Sequence, residues 1–240
     1  MTCVKALASF PPGGLAVVIG ASGAVGGALM EQLRNDPGFA LAVGFSRTGS
    51  ARLDLPSEAS IAAAASRISL LRAAPRLIID ATGYLHSEGA MPEKSWRELD
   101  AAQLAKAFAI NAIGPALLMK HLLPLLPREG KAVFATLSAR VGSIGDNHLG
   151  GWYGYRASKA ALNQLVRTAA IEMKRRHPET ICVALHPGTV ESRLSAPFAK
   201  RGLEVRPPAE AADLLLQAID RMLPSDSGGF FDYRGERLPW

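Results

Sequence analysis

The sequence predicts an α/β domain built on a doubly wound parallel sheet, and three observations carry the prediction. Short apolar runs of four to seven residues alternate with longer stretches of helical periodicity along the chain. The runs have little polar alternation, as in strands covered on both faces. A glycine-rich segment, Gly20 to Gly27, stands directly between the first run and the first helical stretch. Strand–helix alternation of this kind, joined by right-handed crossovers, gives the doubly wound arrangement.

In chain order, the run Leu15–Gly20 reads as the first strand and Ala24–Asn35 as the helix after the glycines. Leu41–Phe45 is the next strand, and Ser57–Leu71 the next helix. Leu77–Asp80 follows, then a long helical stretch, Trp96–Leu126, with a break expected near Gly114–Pro115. Ala132–Leu137, helix Tyr155–His177, strand Thr180–His186, helix Ala209–Leu223 and strand Gly229–Asp232 complete the pattern. No repeat, linker or composition shift divides the chain, so residues 1–240 are expected to form one domain.

With 240 residues, 48% hydrophobic and 20% charged, the chain is long enough for a substantial core. Collagen-like and disordered classes are excluded by composition. The longest mostly apolar stretch, Ala107 to Leu126, is interrupted by Asn111, Lys120 and His121 and reads as a buried helix, so no membrane partner is expected. The first residues have no signal-peptide pattern. Cys3 and Cys182 are too few for a disulfide framework, which fits a reduced, cytoplasmic setting. The net charge of +6 comes from scattered cations, a surface that favours anionic small molecules over nucleic acid. The run Lys174-Arg175-Arg176-His177 complements a helix C-terminus. The histidines share no ligand spacing, and no metal is expected.

Glycines in Gly20-Ala21-Ser22-Gly23-Ala24-Val25-Gly26 let the backbone turn tightly and approach a pyrophosphate, which the next helix meets with its amides and dipole. The plain alternative is a strand-to-helix turn with packing glycines. After the second strand, Ser46-Arg47 replaces the acid that would bind a ribose 2′-hydroxyl, so NADP(H) is expected in preference to NAD(H). Further on, Tyr155 and Lys159 lie four apart on one helix face. A lysine cation there stabilises a phenolate and brings the phenol toward working range.

With these residues placed, the chain resembles a short-chain dehydrogenase/reductase over essentially its whole length. The resemblance rests on the glycine segment, Asp80-Ala81-Thr82-Gly83, Asn111, Tyr155 with Lys159, and Pro187-Gly188-Thr189-Val190. Within that superfamily it is most similar to the C-factor-like branch, through Gly142-Ser143-Ile144-Gly145-Asp146-Asn147, Gly150-Gly151-Trp152-Tyr153, Ala160-Ala161-Leu162-Asn163 and the tail from Gly229 to Trp240. The resemblance implies a Rossmann fold with a further short strand near Ala51–Leu53. It implies that Gly20, Ser22, Gly23, Ala24, Val25 and Gly26 hold the pyrophosphate, Ser46 and Arg47 the adenosine phosphate, and Asp54 and Leu55 the adenine. Ala81, Thr82 and Gly83 would lie beside the cofactor, and Pro187, Gly188 and Val190 at the nicotinamide. Tyr155 would exchange the proton, Lys159 would bind the ribose, and Asn111 would hold a relay water.

The resemblance fails in one place that matters for chemistry. The family serine, three residues before Gly142, is Ala139 here. Ser138 is the expected substitute, with Ser143 as the other candidate. Two activities are therefore expected: NADP-dependent interconversion of a carbonyl and an alcohol, or nucleotide binding in signalling with little turnover. Small-molecule specificity would rest on the segments Tyr84–Trp96, Ser143–Tyr153 and Thr189–Pro207, with Met91, Trp96, Trp152 and Phe198 hinting at an apolar compound. Of the other histidines, His86 is expected to cap a loop, His121 to pack or lie at an interface, and His186 to satisfy a backbone group. The two long helices carry apolar positions beyond the needs of one sheet face, among them Leu117, Leu165 and Ala169, and the resemblance implies a homodimer or homotetramer through them.

Overall fold

The computed structural model describes residues 7–198 and 204–240. Cys3, and Gly202 and Leu203 of the expected substrate loop, lie outside the described residues.

Five strands, β1 (Gly14–Ile19), β2 (Phe39–Phe45), β3 (Pro75–Asp80), β4 (Ala132–Leu137) and β5 (Thr180–His186), form most of one sheet. Two short strands, β6 (Thr189–Val190) and β7 (Val205–Arg206), pair with each other, and β8 (Phe230–Asp232) closes the main sheet. The sheet order is β2-β1-β3-β4-β5-β8, with every pair parallel. The order reverses between β1 and β3, and that reversal opens a crevice at their carboxyl ends.

Alternate side chains of each strand serve opposite layers. Leu15, Val17 and Ile19 face α2 (Glu58–Ser69), α4 (Gly114–Leu122) and α5 (Tyr153–Met173). Ala16 and Val18 face α1 (Ala24–Asn35) and α6 (Pro208–Arg221). Phe134 on β4 is fully buried in the first layer. Truncating it to alanine is expected to cost about 3–5 kcal/mol.

The predicted bounds of α1, β4 and β5 match the structure residue for residue, and three expectations are corrected. The break near Gly114–Pro115 is a π-helical turn, Ala109–Ile113, joining α3 (Ala101–Phe108) to α4 without a stop. Pro115 has no amide to continue the ladder, and Gly114 N donates back to Ala109 O across the wider turn. The whole stretch Ala101–Leu125 is long and apolar enough to cross a membrane by length and composition, yet Leu118 and Leu122 are fully buried against the sheet. Next, residues Ala51–Leu53 form no sheet strand. They make one bridge, Ser46 to Arg52, flanked by Leu53 N donating to Ser46 O at 2.8 Å. Finally, α5 ends at Met173, four residues short of His177, which Pro178 disfavours as helix.

Candidate active site

The glycine segment bridges β1 to α1 at the crevice. Gly20 has φ +84°, and a Cβ there would lie 3.0 Å from Ala81 O at the end of β3. A Cβ on Gly26 would come 2.2 Å from Gly20 O, so the first turn of α1 closes on the loop only with glycine at that position. Gly44 on β2 is constrained likewise: its Cβ would meet that of Ala21 at 2.6 Å. Gly23 caps α1 without a side-chain partner, and the first turn carries no acid. The amides of that turn and the positive dipole end therefore suit an anion. Ser22 and Gly23 are exposed there, with Ala24 and Val25 half-buried.

Of the residues expected near the adenosine, Arg47 is exposed and Asp54 half-buried beside the loop. Leu55 is buried in the core instead, with Cδ2 3.0 Å from where a Gly114 Cβ would be. The contact explains the glycine at the start of α4.

Tyr155 and Lys159 occupy the first two turns of α5, with Lys159 Nζ 5.9 Å from the centre of the tyrosine ring. Burial pushes the Tyr155 phenol up to about 12. It pushes the Lys159 ammonium down to about 8, against an upward pull from the Asp80 charge. In the structure described, then, burial outweighs the expected lowering of the phenol by lysine. Lys159 Nζ donates to Leu137 O at 2.7 Å, and Gly142 is required because its Cβ would lie 2.7 Å from that of Lys159. Asp80 is fully buried. It accepts from Thr82 Oγ1 at 2.6 Å and Thr82 N at 3.1 Å, and from Thr136 Oγ1 on the neighbouring strand at 2.8 Å.

Asn111 lies in the π turn and is almost fully buried. Its Oδ1 accepts from Tyr84 N at 2.8 Å, and its Nδ2 donates to Tyr84 O at 2.7 Å and Ser158 Oγ at 3.0 Å. Asn111 thereby ties the segment after β3 to α5. Gly83 faces both groups: a Cβ there would lie 3.9 Å from Lys159 Nζ and 4.0 Å from Asn111 Oδ1. The crevice holding these groups is open to the carboxyl ends of β1 and β3.

Three loop segments meet over Tyr155. Trp152 rings pack on Tyr155 with centroids 6.3 Å apart and on Phe198 at 4.8 Å, and Phe198 meets His86 at 5.5 Å. His86 Nε2 also contacts Arg193 O at 3.2 Å and Leu194 O at 3.1 Å. Met91 and Trp96, expected to line the same site, are largely exposed. Tyr84, Leu85, Pro92, Glu93 and Tyr155 line a narrow cleft.

The chain is similar to known proteins in sequence and in fold. The family described as Enoyl-(Acyl carrier protein) reductase matches residues 39–212. A 1-hydroxy-2-glutathionyl-2-methyl-3-butene dehydrogenase of Rhodococcus sp. (strain AD45) is 32% identical over 188 residues, covering 78% of each chain. The chain belongs to the short-chain dehydrogenase/reductase family. Its C-factor-like character is supported by C-signal of Myxococcus xanthus, 38% identical over 144 residues, 60% of this chain and 82% of that one. NADPH-bound carbonyl reductase from chicken fatty liver shares the fold with TM-score 0.80 at 22% identity, covering 97% of this chain and 96% of that one.

As a short-chain dehydrogenase/reductase the chain is an oxidoreductase, with an unusual environment where the family serine stands. Ala139 is buried directly after β4. Ser138 donates its hydroxyl to Asn163 Oδ1 at 2.7 Å, and the buried Asn163 Nδ2 has no partner among the described residues. Ser143 accepts from Asp146 N at 3.1 Å and is also buried. On the far side, Gly188 has φ +78° and packs against the Arg206 guanidinium and the Tyr233 ring, while Val190 is buried in β6. The Arg206 guanidinium lies 4.0 Å from the centre of that ring. His186 departs from expectation: its Nδ1 is buried without a partner, and burial lowers the ring to about 4. His121 instead meets Glu58 Oε1 at 3.0 Å beside Lys120.

Sequence reasoning missed Ser158 and Glu93. The Tyr-x-x-x-Lys spacing holds a usable signal for Ser158, which lies three residues after Tyr155 on the same helix and is Asn111's partner there. Nothing local marks Glu93.

Proposed function

We propose that the chain is an NADP(H)-dependent oxidoreductase that interconverts a carbonyl and an alcohol. The observation that carries this reading is the convergence of Tyr155, Lys159 and Asn111 beside Gly83 at the open end of β1 and β3. The glycine loop fits a dinucleotide, because Gly20 and Gly26 let the loop and the first turn of α1 close on each other where Cβ atoms would clash, and the first-turn amides of α1 have no side-chain cap. Gly20, Ser22, Gly23, Ala24, Val25 and Gly26 would hold the pyrophosphate, with Ser46 and Arg47 at the 2′-phosphate. Ala81, Thr82, Gly83, Pro187, Gly188 and Val190 would border the nicotinamide half. When bound, the nicotinamide supplies or takes the hydride.

In the reducing direction Tyr155 Oη gives its proton to the carbonyl oxygen as the carbon gains hydride. The resulting phenolate is stabilised by the Lys159 cation and regains its proton from solvent. Asn111 holds Tyr84 and Ser158 in place around that route. In oxidation Tyr155 accepts the alcohol proton instead. Ser138 meets a substrate oxygen only if its bond to Asn163 opens. A small apolar carbonyl compound suits the Trp152–Phe198 wall. Ile113 and Ile171, exposed on the outer helices, favour assembly as a homodimer or homotetramer, which light scattering measures.

Titration with NADPH and NADH, followed by nicotinamide fluorescence, tests the cofactor reading. Tight binding of NADPH alone supports it, and binding of neither overturns it. A second reading, nucleotide binding in signalling without turnover, is favoured by Ala139 and by the likeness to C-signal. It calls for NADPH binding with no carbonyl reduced across a broad panel.

A further inference from the structure

Glu93 is a buried acid outside the machinery above. It is 5% exposed, follows the buried Pro92 and lies in the segment between β3 and α3, sixty-one residues before Gly154 in the first turn of α5. Its main chain and side chain both engage that start. Glu93 O accepts from Trp152 N, and Glu93 Oε2 accepts from Gly154 N at 3.2 Å. Gly154 immediately precedes Tyr155. A Cβ on Gly154 would lie 2.9 Å from Glu93 Oε1 and 3.3 Å from Leu104 Cδ2, so the carboxylate reaches the helix only because this position is glycine.

The start of α5 needs such support. Its cap, Trp152, has φ +53° and is the non-glycine residue with positive φ among those described. A bulky side chain in that region is strained and persists only where its surroundings hold it. No side chain within α5 caps the helix, and no acid stands in its first turn. The carboxylate of Glu93 supplies both missing elements from a distant segment: an acceptor for an orphan amide and a negative charge at the positive dipole end.

We propose that Glu93 is a positioning residue for Tyr155, fixing the first turn of α5 and with it the place of the phenol beside the cleft that both residues line. The proposal rests on the reductase reading for its effect on rate, and on geometry alone for its effect on the tyrosine. Its reach is specific: the contact is one residue from the proton donor, and small misplacements of a reacting group cost large factors in rate.

Three variants test it: Glu93→Ala, Glu93→Gln and Gly154→Ala. Glu93→Ala removes the acceptor, whereas Glu93→Gln keeps an oxygen for Gly154 N. Gly154→Ala displaces the carboxylate without altering it. Each is assayed for NADPH affinity, for kcat with a carbonyl substrate, and by NMR of ring-labelled tyrosine, with Tyr155 assigned among four tyrosines by loss of its signal in Tyr155→Phe. The expected result is a fall in kcat of about tenfold or more in Glu93→Ala and Gly154→Ala, with NADPH affinity within about twofold and Glu93→Gln within about threefold of wild type. The Tyr155 resonance shifts in the first two variants and stays near its place in Glu93→Gln. Unchanged kcat and an unmoved Tyr155 resonance in Glu93→Ala overturn the proposal, as does equal loss in Gln and Ala. A Tyr155 resonance that moves as expected in a protein whose wild type reduces no carbonyl sustains the positioning contact and overturns the reductase reading alone.

Discussion

Lys159 Nζ donates a 2.7 Å hydrogen bond to the carbonyl oxygen of Leu137, the last residue of β4. An ammonium held this way is poised and costly at once. It is 2% exposed, and burial lowers it to about 8 from an ordinary 10.5.

The linkage has a definite sign. Between about 8 and 10.5 the unfolded chain binds the Lys159 proton and the folded chain does not, so this residue makes stability rise with pH through that window. Below pH 8 the full cost of the buried charge is present. Lys159→Met is expected to unfold at higher temperature than wild type at pH 7, by up to about 3 kcal/mol, with the advantage shrinking toward pH 10. Thermal melts of both proteins across pH 6 to about 10 measure the difference, in which Lys131 and the other shared groups cancel. A constant difference would remove the pKa argument. Turnover in wild type is expected to fall as pH rises through about 8, where the cation is lost.

Ala139 predicts a gain of function. A serine there places a hydroxyl where the family has its donor, while Ser138 remains bound to Asn163. Ala139→Ser is expected to raise kcat by about tenfold or more, since a single donor to a developing oxyanion is worth about 10²–10³ in rate. Ser138→Ala is expected to cost about 1–3 kcal/mol of stability by leaving Asn163 Oδ1 unpaired, with a smaller effect on rate. Steady-state kinetics and chemical denaturation separate the two effects.

Gly26→Ala is expected to abolish dinucleotide binding. Its Cβ would fall 2.2 Å from Gly20 O, and backbone must move to admit it. Gly27→Ala is the control, because its Cβ would make only an ordinary 3.5 Å contact with Ala21 O. Calorimetric titration with NADPH distinguishes them: loss in the first variant and retention in the second.

Arg47 is exposed after β2, free to meet a 2′-phosphate. Arg47→Ala is expected to weaken NADPH binding by about tenfold or more and to leave NADH binding within about twofold, as removal of a charge-assisted bond to phosphate requires. Equal losses for both cofactors would take Arg47 out of the specificity argument.

Features set by neighbours in sequence were legible before the structure. The glycine turn between β1 and α1, and Tyr155 with Lys159 on one helix face, depend on spacings of a few residues. Features set by distant contacts were not. Glu93 reaches α5 across sixty-one residues, and Ser138 finds Asn163 across twenty-five. The extended family resemblance placed a strand at Ala51–Leu53, but the chain there bonds only back to Ser46. The burial of Leu55 was not legible either, because it depends on Gly114 in another element. The expected break at Gly114–Pro115 became a π turn because backbone geometry absorbed the missing proline amide without ending the helix.

The central claim is that Tyr155 exchanges the proton in carbonyl reduction. Carbonyl-dependent oxidation of NADPH by wild type and Tyr155→Phe, each with its NADPH affinity measured, tests it most directly. The account predicts turnover in wild type, a loss of about 10²-fold or more in the variant, and unchanged NADPH binding. Equal turnover in the two proteins would contradict it.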